Sequence, residues 1–151
     1  MTSRSINFNH VGLCVTDRTR SRTFYEKALS FKLWWELDPP DEGVSQLLQL
    51  PPPVGLHATY LVRDGLVLEL LDYSALAVQP WRARVMAEPG LTHMSFSVED
   101  LNGTLDRVRE FGGSVIEDTS SPTAVMIRDP DGQLIELLDA GWRARLPPLP
   151  E

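Results

Sequence analysis

The stretch RDGLVLELLD at Arg63–Asp72 returns near the end of the chain as RDPDGQLIELLD at Arg128–Asp139. Both copies read Arg-Asp, then a turn that contains glycine, then an apolar strand that ends in Glu-Leu-Leu-Asp. An earlier pair matches in the same order, because HVGLCVTD at His10–Asp17 and HMSFSVED at His93–Asp100 both begin with His, have Val sixth and end with Asp. Two matched pairs in one order predict an internally repeated fold.

Two copies of one unit are therefore predicted, at about residues 5–73 and 91–139. We expect them to form a single domain over residues 5–139, because a chain of 151 residues suits one domain or two small modules that share a core. Residues 74–90 connect the copies. The proline-rich end, residues 140–151, is expected to be a loose tail.

Hydrophobic periodicity predicts a βαβββ unit in each copy, and hence an α+β fold. In the first copy it places strands at Ile6–Val15, Lys32–Leu37, Val44–Leu50, Leu56–Arg63 and Leu66–Asp72, and a helix at about Arg18–Leu29. In the second copy it places strands at Leu91–Val98, Val115–Glu117, Ala124–Arg128 and Leu134–Leu138, and a helix from Asp100 to about Phe111. Further elements are a short helix around Trp81–Ala87, a cap at Thr16 or Asp17, and turns at Asp64-Gly65 and Pro130–Gly132.

The bulk composition limits the partners. The formal charge is −7 and no basic run is present, which disfavours nucleic acid, whose phosphates need clustered Lys and Arg, and also disfavours anionic membrane surfaces. The apolar stretches are too short to span a membrane, and the residues after Met1 show no secretory signal. Cys14 is the one cysteine, which excludes an internal disulfide and fits a reducing compartment. We therefore expect a cytoplasmic protein.

Four side chains are candidate metal ligands. His10 and His93 lie on the first strand of the two copies, and Glu69 and Glu136 lie on the last. Each Glu sits within an otherwise apolar strand, where a buried carboxylate without a partner is costly. A single strand His or Glu is more often structural, but the same pair in both copies favours a shared cation. Two imidazoles and two carboxylates suit one divalent ion such as Zn²⁺, Ni²⁺, Co²⁺, Mn²⁺ or Fe²⁺.

Other side chains are candidates for the wall of this site. The aromatic and thioether candidates are Trp34, Trp35, Tyr60, Tyr73, Trp81 and Met126, and the basic ones that could hold a substrate carboxylate or phosphate are Arg82, Arg84 and Arg128. Core packing is the competing role for the first set, and surface solvation for the second. His57 lies outside the repeat and is interpreted as structural or exposed. Cys14 is interpreted as packing within its strand.

Several motifs make the sequence resemble the vicinal oxygen chelate superfamily, which includes glyoxalase I, methylmalonyl-CoA epimerase, extradiol dioxygenases and bleomycin-resistance proteins. They are NHVGLCVTD at Asn9–Asp17, FYEKAL at Phe24–Leu29, His93 with VED at Val98–Asp100, Gly112-Gly113, and DPDGQLIE at Asp129–Glu136. The resemblance covers nearly the whole chain except the tail. It implies two βαβββ modules curved into an open, barrel-like cleft around one divalent metal, with a homodimer as a common arrangement.

The pattern of His10, Glu69, His93 and Glu136 looks most like that of glyoxalase I. This resemblance implies a lyase, isomerase or epimerase that moves a proton next to a metal-bound carbonyl of a small molecule. Glu136 or Glu69 would be the catalytic base by loosening from the metal, or a metal-bound hydroxide would take the proton, and the resemblance to glyoxalase I favours Glu136.

The same resemblance has departures. Bacterial glyoxalase I usually carries Arg where this chain has Cys14, Asn where it has Tyr73, and a basic residue in the loop that is Thr119–Thr123 here. We therefore expect a substrate other than a glutathione adduct.

Two other functions stay open. An Fe²⁺-dependent ring-cleaving dioxygenase would use three protein ligands and keep open positions, so Glu69 as a fourth ligand argues against it. A non-catalytic binding or resistance protein would sequester a small molecule, and absence of metal would favour it. The fold by itself does not choose between these functions.

Overall fold

The structure is a computed structural model that describes residues 6–79, 82 and 86–148. Its chain divides into two compact units. The first comprises the described residues up to Arg22 together with Ser30–Gln79, and the second comprises Thr23–Leu29 together with the described residues from Arg82 onward. Each unit contains one sheet, and a single domain over residues 5–139 stays a prediction.

The first unit holds a four-stranded sheet in the order β1-β4-β3-β2. The elements of the first copy are β1 (Val11–Val15), α1 (Arg18–Lys27), β2 (Lys32–Leu37), α2 (Asp41–Leu48), β3 (Leu56–Arg63) and β4 (Leu66–Tyr73), and the second half of α1 belongs to the second unit. Strands β1 and β4 pair in parallel, and the other two pairings are antiparallel. The last strand of the unit therefore lies beside the first, which brings the start and end of the repeat together.

The second unit repeats this topology, with the sheet order β5-β8-β7-β6. Its elements are β5 (Met94–Val98), α3 (Leu101–Glu110), β6 (Ser114–Ile116), a one-turn 3₁₀ helix (Glu117–Thr119), β7 (Ala124–Arg128), β8 (Leu134–Asp139) and α4 (Ala140–Arg143). Strands β5 and β8 are parallel, as β1 and β4 are in the first unit. The predicted α+β fold with two tandem βαβββ units is confirmed.

Local sequence explains the element boundaries. Asp17 Oδ1 accepts a hydrogen bond from the Arg20 amide at 3.0 Å, and Asp100 Oδ1 accepts one from the Gly103 amide at 2.9 Å, so each repeat starts its helix with an aspartate cap. Asp64 and Gly65 both have positive φ, 49° and 81°, which is the conformation that a tight two-residue hairpin requires.

The predicted strand at Val44–Leu50 is wrong, because residues Asp41–Leu48 form helix α2. Its apolar side chains follow helical spacing, and Asp41 and Glu42 lie in the first turn, where acidic side chains favour the helix dipole. A short apolar run of this kind does not distinguish a strand from a helix. The first unit therefore carries one helix more than the predicted pattern.

Three smaller expectations also change. The predicted loose tail begins with helix α4, which Asp139 Oδ1 caps by accepting from the Trp142 amide at 3.2 Å. The first strand starts at Val11 and not at Ile6, and β5 starts at Met94 and not at Leu91, so His10 and His93 each directly precede a strand. The short helix predicted around Trp81–Ala87 falls mostly outside the described residues.

One face of each sheet is buried, and the candidate ligands lie on the opposite face. Alternation places Glu69 between the fully buried Leu68 and Leu70, and Glu136 between the fully buried Ile135 and Leu137. Both carboxylates therefore point away from the apolar side of their sheets. In the part of the chain that the structure describes, no helix is both long and apolar enough to cross a membrane.

A buried polar contact organises the second unit. The Tyr25 hydroxyl donates to Asp129 Oδ2 at 2.8 Å, and Asp129 Oδ1 accepts from the amides of Asp131 and Gln133 at 2.9 and 2.8 Å. Asp129 is only 4% exposed, and burial raises the pKa of its carboxyl. This contact fixes the turn that precedes β8, the strand that carries Glu136.

Candidate metal centre

The strand registers place a histidine and a glutamate on the same face of each sheet. Glu69 pairs with Gly12 across β1 and β4, and Glu136 pairs with Ser95 across β5 and β8. His10 and His93 each precede these partners by two residues and lie just before β1 and β5, where their Nε2 atoms face the carboxylates of Glu69 and Glu136. The parallel pairing of first and last strands thus assembles one His–Glu pair in each unit.

The first pair, His10 with Glu69, is in direct contact. His10 Nε2 lies 2.9 Å from Glu69 Oε2, and His10 Nδ1 lies 2.9 Å from Asn9 Oδ1. The Asn9 oxygen only accepts hydrogen bonds, so His10 Nδ1 carries the proton at this contact. Nε2 then faces a carboxylate and requires either a second proton or a cation shared with Glu69.

Tyr60 holds the second oxygen of the Glu69 carboxylate. Its hydroxyl donates to Glu69 Oε1 at 2.6 Å, and its ring stands edge-on to the His10 imidazole with a centroid separation of 5.7 Å. Burial, the hydrogen bond to Glu69 and the charge of Glu69 together raise the pKa of Tyr60 to about 12. Tyr60 therefore remains a hydrogen-bond donor at neutral pH, and it fixes the orientation of Glu69.

The second pair, His93 with Glu136, is more open. His93 Nε2 lies 3.8 Å from Glu136 Oε2, and the Ser95 hydroxyl donates to that same oxygen at 2.7 Å. His93 Nδ1 lies 2.9 Å from the Thr92 hydroxyl. The Glu136 side chain is 29% exposed, against 12% for Glu69. Glu136 is therefore the less constrained of the two carboxylates.

The donor set of each pair fits a divalent first-row ion. Neighbouring ligands at bond lengths of about 2.1 Å lie roughly 3.0–3.4 Å apart, and the His–Glu separations of 2.9 Å and 3.8 Å lie on either side of this range. The hydrogen bond that each imidazole Nδ1 makes is the kind of outer contact that orients a metal-binding histidine. Among all the residues that the structure describes, no group of three or more His, Cys, Asp or Glu side chains is placed so that it could hold a metal ion. The four-ligand centre of His10, Glu69, His93 and Glu136 therefore stays a prediction.

The predicted aromatic wall is found in part. Trp34, Trp35 and Tyr60 gather beside the first pair, and Met126 pairs with Glu136 across β7 and β8. Tyr73 lies at the end of β4, and burial raises the pKa of its hydroxyl. Trp81 lies outside the described residues.

The predicted basic side chains have other contacts. Arg128 donates to the Gly132 carbonyl at 3.0 Å and so braces the turn before β8. Arg82 is 80% exposed and lies 3.9 Å from Glu88, which is a weak surface contact. Arg84 lies outside the described residues.

Two interpretations of single residues are refined by the structure. Cys14 is exposed, so its interpretation as packed within the strand is wrong, because it lies on the same face as Gly12 and not on the buried face. His57 Nδ1 contacts Asp38 Oδ1 at 2.5 Å, and His57 lines a cavity of about 500 Å³ together with Arg18 and Asp72. These contacts are consistent with the structural role expected for His57.

Some residues of the site were missed by the sequence analysis. Asn9 and Thr92 contact the Nδ1 atoms of the two histidines, and Ser95 contacts Glu136. The repeat contains a signal for the first two, because each histidine directly follows a side chain that can hydrogen-bond. No such signal exists for Ser95, since its counterpart in the first copy is Gly12.

Comparison with known proteins agrees with this architecture. The family model of the glyoxalase/bleomycin resistance protein/dioxygenase superfamily matches residues 7–137. A lactoylglutathione lyase of Pseudomonas aeruginosa is 29% identical, over 92% of this chain and 85% of that protein.

Solved structures share the fold. A glyoxalase family protein of Bacillus cereus superimposes with a TM-score of 0.76 at 16% identity, covering 91% of this chain and 96% of that one. The trypanothione-dependent glyoxalase I of Leishmania major superimposes with a TM-score of 0.67 at 22% identity, covering 93% and 91%. These structural likenesses support the fold, and the family model covers most of the chain. The chain therefore belongs to the glyoxalase/bleomycin resistance protein/dioxygenase superfamily.

Proposed function

We propose that this chain is a metal-dependent lyase or isomerase that transfers a proton next to a carbonyl group of a small molecule. The ligands of its single divalent ion would be His10, Glu69, His93 and Glu136. The observation that carries the proposal is His10 Nε2 facing the Glu69 carboxylate at 2.9 Å while Nδ1 is occupied by Asn9. A shared cation satisfies that arrangement, and a second His–Glu pair stands at the equivalent place of the other unit.

The likeness to a lactoylglutathione lyase supports the reaction class. When bound, the ion would act as a Lewis acid that draws electron density from substrate oxygens and so acidifies the neighbouring carbon–hydrogen bond. Four protein ligands would leave coordination positions open for those oxygens. The substrate would be bound through a pair of oxygens on neighbouring carbons.

The two glutamates would have different roles. Glu69 is oriented by both His10 and Tyr60, and is nearly covered, which suits a permanent ligand. Glu136 lies farther from its histidine and is more exposed, which suits the base that takes the proton from one carbon and returns it to another. The Ser95 hydroxyl, which donates to Glu136 Oε2, would keep the carboxylate oriented while it exchanges the proton.

The substrate is proposed to differ from a glutathione adduct. Bacterial glyoxalase I, which this chain resembles, usually carries Arg at the position of Cys14 and Asn at the position of Tyr73. Neither Cys14 nor Tyr73 supplies a positive charge for a peptide carboxylate. The site would therefore select its substrate by other contacts.

The proposal is tested by exchange of solvent deuterium into 2-hydroxyacetophenone, an α-hydroxyketone, followed by NMR. We expect exchange with Zn²⁺-, Ni²⁺- or Co²⁺-loaded protein, and its loss in His10→Ala and His93→Ala. His57→Ala is the matched control and should keep the activity, because His57 is hydrogen-bonded to Asp38 and belongs to neither of the two His–Glu pairs. Exchange that is unchanged in all three variants would overturn the proposal.

The alternative functions predict different results. A ring-cleaving dioxygenase would consume oxygen with Fe²⁺ and a catechol, and a binding protein would bind a ligand without turnover. Homodimer formation and a cytoplasmic location are further expectations, which sedimentation and cell fractionation test.

A further inference from the structure

Three aromatic rings form a continuous platform in the first unit. Trp35 stacks on Tyr60 with a centroid separation of 4.7 Å and an interplanar angle of 12°. Trp34 stands edge-on to Tyr60 at 6.5 Å and to Trp35 at 6.2 Å. Offset-stacked and edge-on arrangements are those that aromatic pairs prefer. The rings therefore have a defined mutual geometry, which suits a binding surface.

A β-bulge turns both tryptophans to the side that bears the candidate ligands. The register between β2 and β3 shifts between Leu33 and Trp35, so that Trp35 pairs with Tyr60 and Trp34 is the inserted residue. Neighbouring residues of a regular strand would point to opposite faces, whereas here both indole rings contact Tyr60. Bulges beside functional sites commonly re-aim a side chain in this way.

The platform is physically linked to the first His–Glu pair through Tyr60. The hydroxyl of Tyr60 reaches Glu69 while one side of its ring is covered by Trp35. A molecule that lies along the aromatic surface would thus have its far end beside the Glu69 carboxylate. The ring surface and the carboxylate of Glu69 therefore belong to the same face of the first sheet.

The indole rings of Trp34 and Trp35 expose apolar surface to solvent, which is unfavourable, and a bound ligand would cover that surface. Trp34 is 60% exposed and Trp35 is 41% exposed, on a strand that forms the edge of its sheet. Burial of apolar surface against a ligand is favourable, and a flat unsaturated group gains stacking energy in addition. The surface carries ring faces in place of charges, so a flat uncharged group suits it.

We infer that Trp34, Trp35 and Tyr60 bind a flat unsaturated ring of the substrate while its oxygens lie at the His10–Glu69 end. This inference rests on the proposed function and adds the substrate class, namely a ring-bearing molecule with two neighbouring oxygen donors. The platform would select such molecules over aliphatic ones that bear the same oxygens. Selection would act through affinity and leave the proton-transfer groups unchanged.

A pair of matched probes tests the inference without a known substrate. Benzohydroxamate and acetohydroxamate present the same two oxygens, but only the first has a ring. Binding of both to Zn²⁺-loaded protein is measured by isothermal titration calorimetry. We expect Trp35→Leu and Trp34→Leu each to weaken benzohydroxamate about three- to tenfold, as the loss of an aromatic contact predicts, and to change acetohydroxamate less than twofold.

Trp142→Leu is the control, because Trp142 is also exposed but lies on α4 of the second unit. It should leave both affinities unchanged. Equal losses for the two probes in the Trp34 and Trp35 variants, or no loss for either, would overturn the ring-binding inference and leave the metal site standing. Failure of both probes to bind the loaded wild-type protein would overturn the proposed function, and the inference with it. A change in sedimentation of the two variants, with unchanged probe binding, would show that the platform joins copies of the chain, which also overturns the inference.

Discussion

Tyr60 lies directly opposite Glu69 in the register of β3 and β4, and its hydroxyl donates a 2.6 Å hydrogen bond to that carboxylate. In the second unit Met126 lies opposite Glu136, and a thioether has no proton to donate. The repeat therefore places two glutamates at equivalent positions and surrounds them with different neighbours. This difference is the basis for assigning one glutamate to binding and the other to proton transfer.

Tyr60→Phe removes the hydroxyl and keeps the ring. We expect Zn²⁺ affinity to fall about tenfold, because outer-shell partners of metal ligands typically contribute that much. A competition titration with a chromophoric chelator measures it. Tyr73→Phe is the matched control, since Tyr73 lies on the same sheet, at the end of β4. An unchanged Zn²⁺ affinity in Tyr60→Phe would show that the hydrogen bond from Tyr60 to Glu69 does not contribute to metal binding.

Glu136→Gln and Glu69→Gln should separate proton transfer from metal binding. Glutamine keeps the shape of the side chain but cannot act as the base, so Glu136→Gln should lower deuterium exchange into 2-hydroxyacetophenone about 100-fold or more. Glu69→Gln should chiefly weaken metal affinity. The comparison is made at saturating Zn²⁺, with bound metal measured in each sample. The reverse pattern, with exchange abolished only in metal-saturated Glu69→Gln, would assign the base to Glu69.

Tyr25→Phe is expected to destabilise the protein by about 1.5–3 kcal/mol, the usual contribution of a hydrogen bond to a charged group. The variant leaves Asp129 Oδ2, which is buried, without the hydroxyl donor. Urea unfolding followed by circular dichroism measures the change in unfolding free energy. A double-mutant cycle with Asp129→Asn isolates the pairwise contribution. Additive effects in that cycle would mean that the Tyr25–Asp129 contact contributes nothing to stability.

Asp129 should also make stability depend on pH. Burial raises the pKa of this carboxyl above its ordinary value of 3.8, so the folded protein binds the proton more tightly than the unfolded chain does. The stability that comes from the protonated form is present below pH 3.8 and is lost as pH rises through the raised pKa. Wild type should therefore lose stability relative to Asp129→Asn as pH rises from 3.8 through the raised pKa. A stability difference that does not change with pH above 3.8 would contradict this assignment.

The repeat made most of the fold predictable, because matched turns and matched apolar strands occur in both copies. Helix α2 was not predictable, since Val44 and its apolar neighbours fit a strand and a helix equally well. Alternation assigned His10 and Glu69 to one face of their own strands. The contact between them depends on the parallel pairing of β1 with β4, which the sequence analysis did not predict. The bulge at Trp34 was not predictable either, because it depends on the register between two strands and changes the face of a side chain without a local signal.

The different surroundings of the Glu69 and Glu136 carboxylates likewise could not be predicted from the sequence. Glu69 and Glu136 have nearly identical sequence surroundings. Their difference arises from Tyr60 and Ser95, which come from other strands and meet them only through pairing.

The most direct test of the central claim is the metal content of protein purified without chelator or a metal-affinity tag, measured by elemental analysis beside His10→Ala and His93→Ala. A single ion shared by both units predicts about one transition metal per chain in wild type and loss of that metal in each variant, although each removes a ligand from only one unit. Metal that survives both substitutions, or wild-type protein that takes up none on reconstitution, would contradict the four-ligand centre.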